Sequence, residues 1–368
     1  MTVALVWTQF SAYHIDRIEA AAKALGGKRR LIACEIATAS AEYAWAPSGD
    51  TPGAEKITLF PGRAYETVPW PRRLCALARG LKSARTVFLG VSYGEPEILP
   101  LAWWLRLTGR RVVMMSDSKF DDRPRGVGRE LLKALALSVF NAALVAGPRQ
   151  VDYVRFLGFR RRPVRTGYDR VSLTRVRGLA AWPPAPEGPA FADRPFIFVG
   201  RFVAKKNLLL LARAYGRYVE LSGRAARRLV IAGGGELEAE LRRVIDQLGI
   251  SQLVEFPGFL QAEGVARALS SGLALILPSV EEQWGLVVNE ALAFNLPIIA
   301  SLNVGARDTL AKSLVNAVIV EPDNIEGFAR AMLMVASEEE WRRLVAGSAA
   351  LAPLADVGGF AEAVAELA

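Results

Sequence analysis

The sequence of 368 residues predicts an α/β chain built from two doubly wound, mainly parallel sheets. Three observations carry that expectation. Short apolar runs of strand length alternate with longer helix-like segments from the first residues onward. The alternation stops in a proline-rich stretch, Trp182-Pro-Pro-Ala-Pro-Glu-Gly-Pro189, which reads as the linker between two domains, and a second alternating series starts at Phe196. The length favours two domains, and a hydrophobic content of 52% supplies core for both.

In chain order, Val3 to Trp7 reads as a buried strand, followed by a loop and a helix from about Ile15 to Leu25. Leu31 to Ile36, Thr86 to Val91, Arg111 to Met115 and Ala142 to Val145 are further apolar strand candidates. Pro96 to Leu107 and Val127 to Phe140 carry helical periodicity. The second series begins with Phe196-Ile-Phe-Val, which breaks at Gly200, and the helix Leu208 to Leu221. Leu229 to Ala232 enters a triple-glycine turn, and Leu273 to Leu277 and Pro297 to Ala300 are two more buried runs. These limits place a first Rossmann-like domain at 1–180 and a second at 190–345, with a remaining segment at 346–368.

No run of about 18 uncharged apolar residues occurs, so no membrane-spanning helix is expected. The opening Met-Thr-Val-Ala-Leu-Val-Trp lacks the basic and long apolar regions of a signal peptide. The two cysteines, Cys34 and Cys75, lack metal or redox spacing, and a reducing cytoplasm is the simplest setting. The net charge of +9 is uneven. Residues 1–180 hold 29 Lys/Arg against 15 Asp/Glu, a balance of +14, and the rest carries −5. A basic half attracts an anionic membrane surface, a phosphorylated acceptor or nucleic acid. Its clusters Arg72-Arg73, Arg110-Arg111 and Arg160-Arg-Arg162 lack the interleaved aromatics of single-strand binders, so nucleic acid is not expected.

The most informative stretch is Pro278-Ser-Val-Glu-Glu-Gln-Trp-Gly-Leu-Val-Val-Asn-Glu-Ala291. It follows a buried strand and opens a helix, so it lies at the carboxyl edge of a parallel sheet, where such sheets bind ligands. Glu282 and Glu290 are eight positions apart, with Gly285, Leu286 and Val287 between them. Two carboxylates there accept hydrogen bonds from hydroxyls, while the amides at the helix start favour an anion. A sugar nucleotide has hydroxyls on two sides and phosphates in the middle.

The stretch closely resembles the Glu-x7-Glu signature of the family 4 glycosyltransferases, retaining enzymes of the GT-B fold. The resemblance implies that Glu282 contacts the donor sugar and Glu290 the ribose. It extends to Gly200-Arg-Phe-Val-Ala-Lys-Lys206, placing Arg201 and Lys206 on the donor diphosphate, with Lys205 as the rival. Fixed cations there act on charge that grows as the glycosidic bond breaks. Gly200, Gly233 and Gly234 are expected to let backbone approach the donor. The clear resemblance runs from about Phe196 to Asp323 and shows departures. Gln283 stands where the family often has Gly, Ala306 where it has a second Gly, and Asp308 where it has Glu. The fold so implied sets two Rossmann-like domains across a cleft, with the helical segment at 346–368 packing back onto the first.

In the first domain His14 lies just after the first strand, as a donor to a hydroxyl or phosphate, an acid-base group, or a cap formed with Ser11. The histidine that many family members carry further along is replaced by Met114-Met-Ser-Asp-Ser118, where Asp117 is the substitute or merely a turn residue. Gly94-Glu-Pro-Glu97 and the polar, mobile-looking Lys119 to Arg125 are further acceptor-side candidates.

These readings combine into an expected function. A sugar passes from a UDP- or GDP-sugar to a glycan or lipid-linked acceptor with retention of configuration. No cofactor is expected, and no metal either, since Asp121-Asp122 lacks Asp-x-Asp spacing. The location expected is cytoplasmic, with an anionic membrane face as a partner. A GT-B epimerase or phosphorylase and a non-catalytic nucleotide-sugar or nucleic-acid binder are the competing readings.

Overall fold

A computed structural model describes residues 1–27, 29–41, 49–122 and 124–368. The chain divides into two compact units, Met1–Ser172 with Val357–Ala368, and Leu173–Asp356.

Among the described residues the first unit holds seven strands, β1 (Thr2–Trp7), β2 (Arg30–Ala39), β3 (Glu55–Ala64), β4 (Thr86–Leu89), β5 (Arg111–Ser116), β6 (Ala142–Val145) and β7 (Val164–Thr166). Its helices are α1 (Ala12–Leu25), α2 (Trp70–Gly80), α3 (Ile98–Leu107), α4 (Val127–Ala136) and α5 (Pro148–Phe156). The strand order is β3-β2-β1-β4-β5-β6-β7, with every pair parallel. β1 registers Val3 against Leu31 on one side and Thr86 on the other. Central strands buried on both faces need near-continuous apolar runs, and β1, β4 and β6 supply them.

The second unit opens with α6 (Leu173–Gly178), followed by β8 (Phe196–Val199), α7 (Leu208–Ser222), β9 (Leu229–Ala232), α8 (Glu238–Gln247) and β10 (Val254–Gly258). Next come α9 (Ala262–Ser270), β11 (Ala274–Leu277), α10 (Leu286–Ala293), β12 (Ile298–Ser301) and β13 (Ala317–Val320). α11 (Ile325–Val335) and α12 (Glu338–Leu351) end it. The order is β10-β9-β8-β11-β12-β13, again all parallel.

The last helix, α13 (Gly358–Leu367), belongs to the first unit. Phe360, Val364 and Leu367 join Ile18, Ala21 and Leu25 of α1 over Val3, Leu5 and Phe88. The returning piece starts at Val357, whereas the sequence suggested 346, because α12 packs in the second unit. Similarly, the first unit closes at Ser172 and not near 180.

The proline-rich stretch is a correction. It does not link two units but folds into the second. Ala185 is buried, its amide donates to the Phe294 carbonyl (3.0 Å), and its carbonyl accepts from Asn295 Nδ2 (2.9 Å). The buried guanidinium of Arg194 donates to the carbonyls of Pro189 (3.1 Å), Gly272 (3.1 Å), Pro186 (3.4 Å) and Glu187. Two smaller differences concern α4 and the segment before it. The expected helix to Phe140 becomes 3-10 after Ala136, and Lys119, expected in a mobile loop, is fully buried beside Asp121 and Asp122 (3.2 Å each). Arg123 lies outside the described residues.

Arg194→Ala should therefore destabilise the second unit by about 3 kcal/mol, because several buried carbonyls lose their donor at once. Denaturant unfolding followed by tryptophan fluorescence checks this, and a change below roughly 1 kcal/mol would mean that the segment holds without it.

Candidate functional site

In the second sheet the chain leaves β8 toward β9 and β10, then returns to lay β11 on the other side of β8. The loops after β8 and β11 therefore flank the point where strand order reverses, the favoured ligand position in an open parallel sheet. Those two loops carry Lys206 and Glu282.

The two side chains form an ion pair, each only 14% exposed. Ser279 Oγ donates to the same Glu282 oxygen (3.2 Å). The backbone locks the arrangement. The carbonyl of Lys205 accepts from Val280 (2.9 Å), so Lys205 ties the loops together through its main chain while Lys206 reaches the carboxylate. Asn207 adopts a left-handed conformation (φ 58°) and donates to the Pro278 (3.2 Å) and Pro322 (2.6 Å) carbonyls. On the far side, Glu282 bridges to Val304, and its carbonyl accepts from Gly305 (3.1 Å).

Gly285 starts α10 at φ 96°, where a Cβ would come within 3.3 Å of Glu282 Cγ. Leu286 and Val287 are half-buried, and their amides open α10 without an acceptor among the described residues. Such amides give the helix start a partial positive charge. Glu290 is buried on the same helix, at 6% exposure, and is not a solvated surface carboxylate.

The loops after β8 and β9 meet through their backbones. Gly233 (φ 142°) lies so close to Gly200 that a Cβ there would stand 1.9 Å from the Gly200 oxygen. Phe202 donates to the Gly234 carbonyl (2.8 Å), and Gly233 to that of Gly258 (2.8 Å). A cavity of about 150 Å3 opens between them, lined by Gly200, Arg201, Gly233, Gly234, Phe259 and Leu260 among others. Arg201 is exposed and makes no ion pair among the described residues. Gly200, Arg201, Gly233 and Gly234 are thus gathered around one hollow, and Lys206 adjoins it, its Cε 3.7 Å from where a Cβ on Gly200 would be.

His14 and Asp117 lie in the first unit. His14 is buried and closes the capping box of α1, its Nδ1 3.0 Å from both the amide and the hydroxyl of Ser11. Its ring packs on Trp7 at 4.8 Å. Burial, helped by nearby Arg17, holds it well below the ordinary imidazole pKa, so it is neutral at pH 7. Asp117 follows β5, and its carbonyl accepts from Gln150 Nε2 (3.1 Å). Glu97, an acceptor-side candidate, is fully buried and held by Arg73 (2.9 Å) and Tyr65 Oη (2.7 Å). That makes Glu97 a structural carboxylate.

Residues 188–349 match the family described as "Glycosyl transferases group 1". The second unit resembles the group 1 glycosyltransferases. An uncharacterised glycosyltransferase of Methanocaldococcus jannaschii is 31% identical over 157 residues, 43% of this chain and 39% of that protein. The chain thus matches about two fifths of that relative's length. Among solved structures, the sucrose-phosphate synthase of Thermosynechococcus elongatus superposes with a TM-score of 0.73 at 18% identity, covering 100% of this chain and 98% of that one. The Anabaena protein HepE, in complex with UDP and glucose, gives 0.71 at 14% identity, covering 100% and 98%. These likenesses assign the fold, two Rossmann-like α/β units of the GT-B class.

Sequence reasoning missed Ser279, Asn207, Phe259 and Leu260. Only Asn207 carried a signal, being an asparagine just before a helix where left-handed backbone is tolerated. Two outcomes follow. Gly233→Ala should cost roughly 2–4 kcal/mol, since it adds both strain and a backbone clash. Gly249→Ala, at φ 67° with open space around it, should cost only about 1–2 kcal/mol. Equal losses in chemical denaturation would contradict the close contact at Gly200. For His14, stability is complete above the unfolded imidazole pKa, about 6.5, and falls as pH drops toward its lower folded value. His14→Gln should flatten that decline in a series of melts from pH 7 downward.

Proposed function

We propose that this protein transfers a sugar from a nucleoside diphosphate sugar to a glycan or lipid-linked acceptor, with retention of configuration and without a metal ion. The observation that carries this reading is the Lys206–Glu282 pair at the strand-order reversal, beside the glycine-walled cavity that Arg201 borders. A diphosphate suits that hollow because backbone without side chains lets its oxygens come close, and Arg201 and Lys206 supply charge. Glu282, already oriented by Ser279 and Lys206, accepts hydrogen bonds from sugar hydroxyls. Glu290, further along α10, takes the ribose.

In this reading retention needs no nucleophile from the protein. The acceptor oxygen attacks the anomeric carbon on the face that the diphosphate leaves, and the departing phosphate oxygen takes the acceptor proton. The anomeric carbon–oxygen bond breaks as the new one forms, and negative charge gathers on the diphosphate. Cations placed in advance stabilise that charge more than they stabilise the intact donor. Lys206 would move from Glu282 toward the diphosphate as the donor binds.

The protein's proposed setting is the cytoplasmic face of a membrane, held there peripherally through the +14 balance of residues 1–180. No helix among the described residues is long and apolar enough to cross a membrane.

Glu290→Ala should weaken nucleoside diphosphate binding by about 1.5–3 kcal/mol in isothermal titration, the worth of a charge-assisted hydrogen bond. Unchanged affinity would remove Glu290 from the ribose. Arg201→Ala and Lys206→Ala should lower kcat, in a transfer assay across UDP- and GDP-sugars, by more than they raise donor Kd. A raised donor Kd with kcat unchanged would mean that the two cations serve binding alone.

A further inference from the structure

Helix α4 packs inside out. Of its ten residues only Glu130 is buried, at 3% exposure, where it accepts from Tyr153 Oη (2.7 Å) and Lys133 Nζ (2.8 Å). Its large apolar side chains point away. Val127, Leu131, Leu132 and Leu135 are 80%, 67%, 69% and 71% exposed. At 100° per residue these four fall within roughly 140° of the helix circumference, one continuous stripe. A surface helix normally does the reverse, and a stripe this exposed marks an interaction site.

The surroundings narrow what meets it. Arg129 borders the stripe, exposed and without an ion pair among the described residues. At the end of the helix, Arg162 donates to the Leu137 (2.8 Å) and Phe140 (2.9 Å) carbonyls, which brings the exposed Arg160 and Arg161 to the same place. Beside α4, Phe120 and Phe156 stack edge to face at 5.5 Å, exposed by 50% and 59%. Leucines on one face, arginines at its margin and aromatic rings alongside form the pattern of a helix lying in a lipid interface. A second copy fits poorly, since a two-fold pairing of this face brings its bordering arginines into one shared interface.

We propose that the outward face of α4 is where the protein docks on an anionic lipid leaflet, its leucines entering the acyl boundary and Arg129, Arg160 and Arg161 meeting the headgroups. This rests on the proposed peripheral association and is independent of the donor chemistry. The full chain is floated, without nucleotide, on phosphatidylglycerol–phosphatidylcholine vesicles and on phosphatidylcholine alone. Wild type should bind only the anionic vesicles and keep part of that binding at moderate salt, because burial of the leucines is not screened. Leu131→Ser/Leu135→Ser should reduce partitioning at least about tenfold with an unaltered melting temperature. Arg160→Glu/Arg161→Glu should weaken binding mainly at low salt.

Equal flotation of the leucine variant would overturn the assignment to α4 and leave membrane association standing on charge alone. Absence of wild-type flotation would overturn both. A wild-type dimer in light scattering that the leucine variant splits, with no flotation by either, would give the face to a second copy.

Discussion

Strand β8 has a neighbour on each side, and because β9, β8 and β11 run parallel their carboxyl ends deliver three loops into one small volume. Nothing bulky fits where the β8 and β9 loops cross, so glycine occupies the β9 side at Gly233, where a Cβ would run into the Gly200 carbonyl oxygen. On the other side, the β11 loop is clamped from both directions, by the Lys205 carbonyl and by the strand-like bridge to Val304. The Lys206–Glu282 pair is thus set by sheet order before any ligand arrives.

The first unit uses its polar residues differently. The comparable reversal in its sheet falls between β1 and β4. There His14 is spent on a helix cap, and Glu97 sits in a buried cluster with Arg73 and Tyr65. Burial and the two neighbouring carboxylates push the Tyr65 phenol far above its ordinary pKa, so it stays a hydrogen-bond donor. A buried guanidinium and carboxylate remain together because removing either strands the other. These groups shape the loops of that edge without having to touch a substrate.

Much of this was legible in the sequence, for reasons that differ by residue. Apolar runs such as Ala142 to Val145 declare a buried parallel strand outright. β3 escaped notice because it is an edge strand, half exposed along its length and carrying Pro61 and Gly62. Glu282 was readable from its place after a buried strand and Lys206, over Lys205, through the family resemblance, whereas Ser279, which orients Glu282, has no pattern of its own. Prolines at 182–189 suggested a loose connector, and only the four carbonyls gathered by Arg194 reveal a packed segment. Periodicity identified α4 as a helix but is blind to which side faces the sheet. There the usual rule that leucines point inward is the one that fails.

The return of α13 to the first unit bears on how the chain is made. Until Phe360, Val364 and Leu367 leave the ribosome, the sheet face of Val3, Leu5 and Phe88 has no cover over part of its area. The second unit, Leu173–Asp356, is continuous and is complete by then. The half synthesised first is therefore the half that finishes last, and during translation its open face is the natural client of a chaperone.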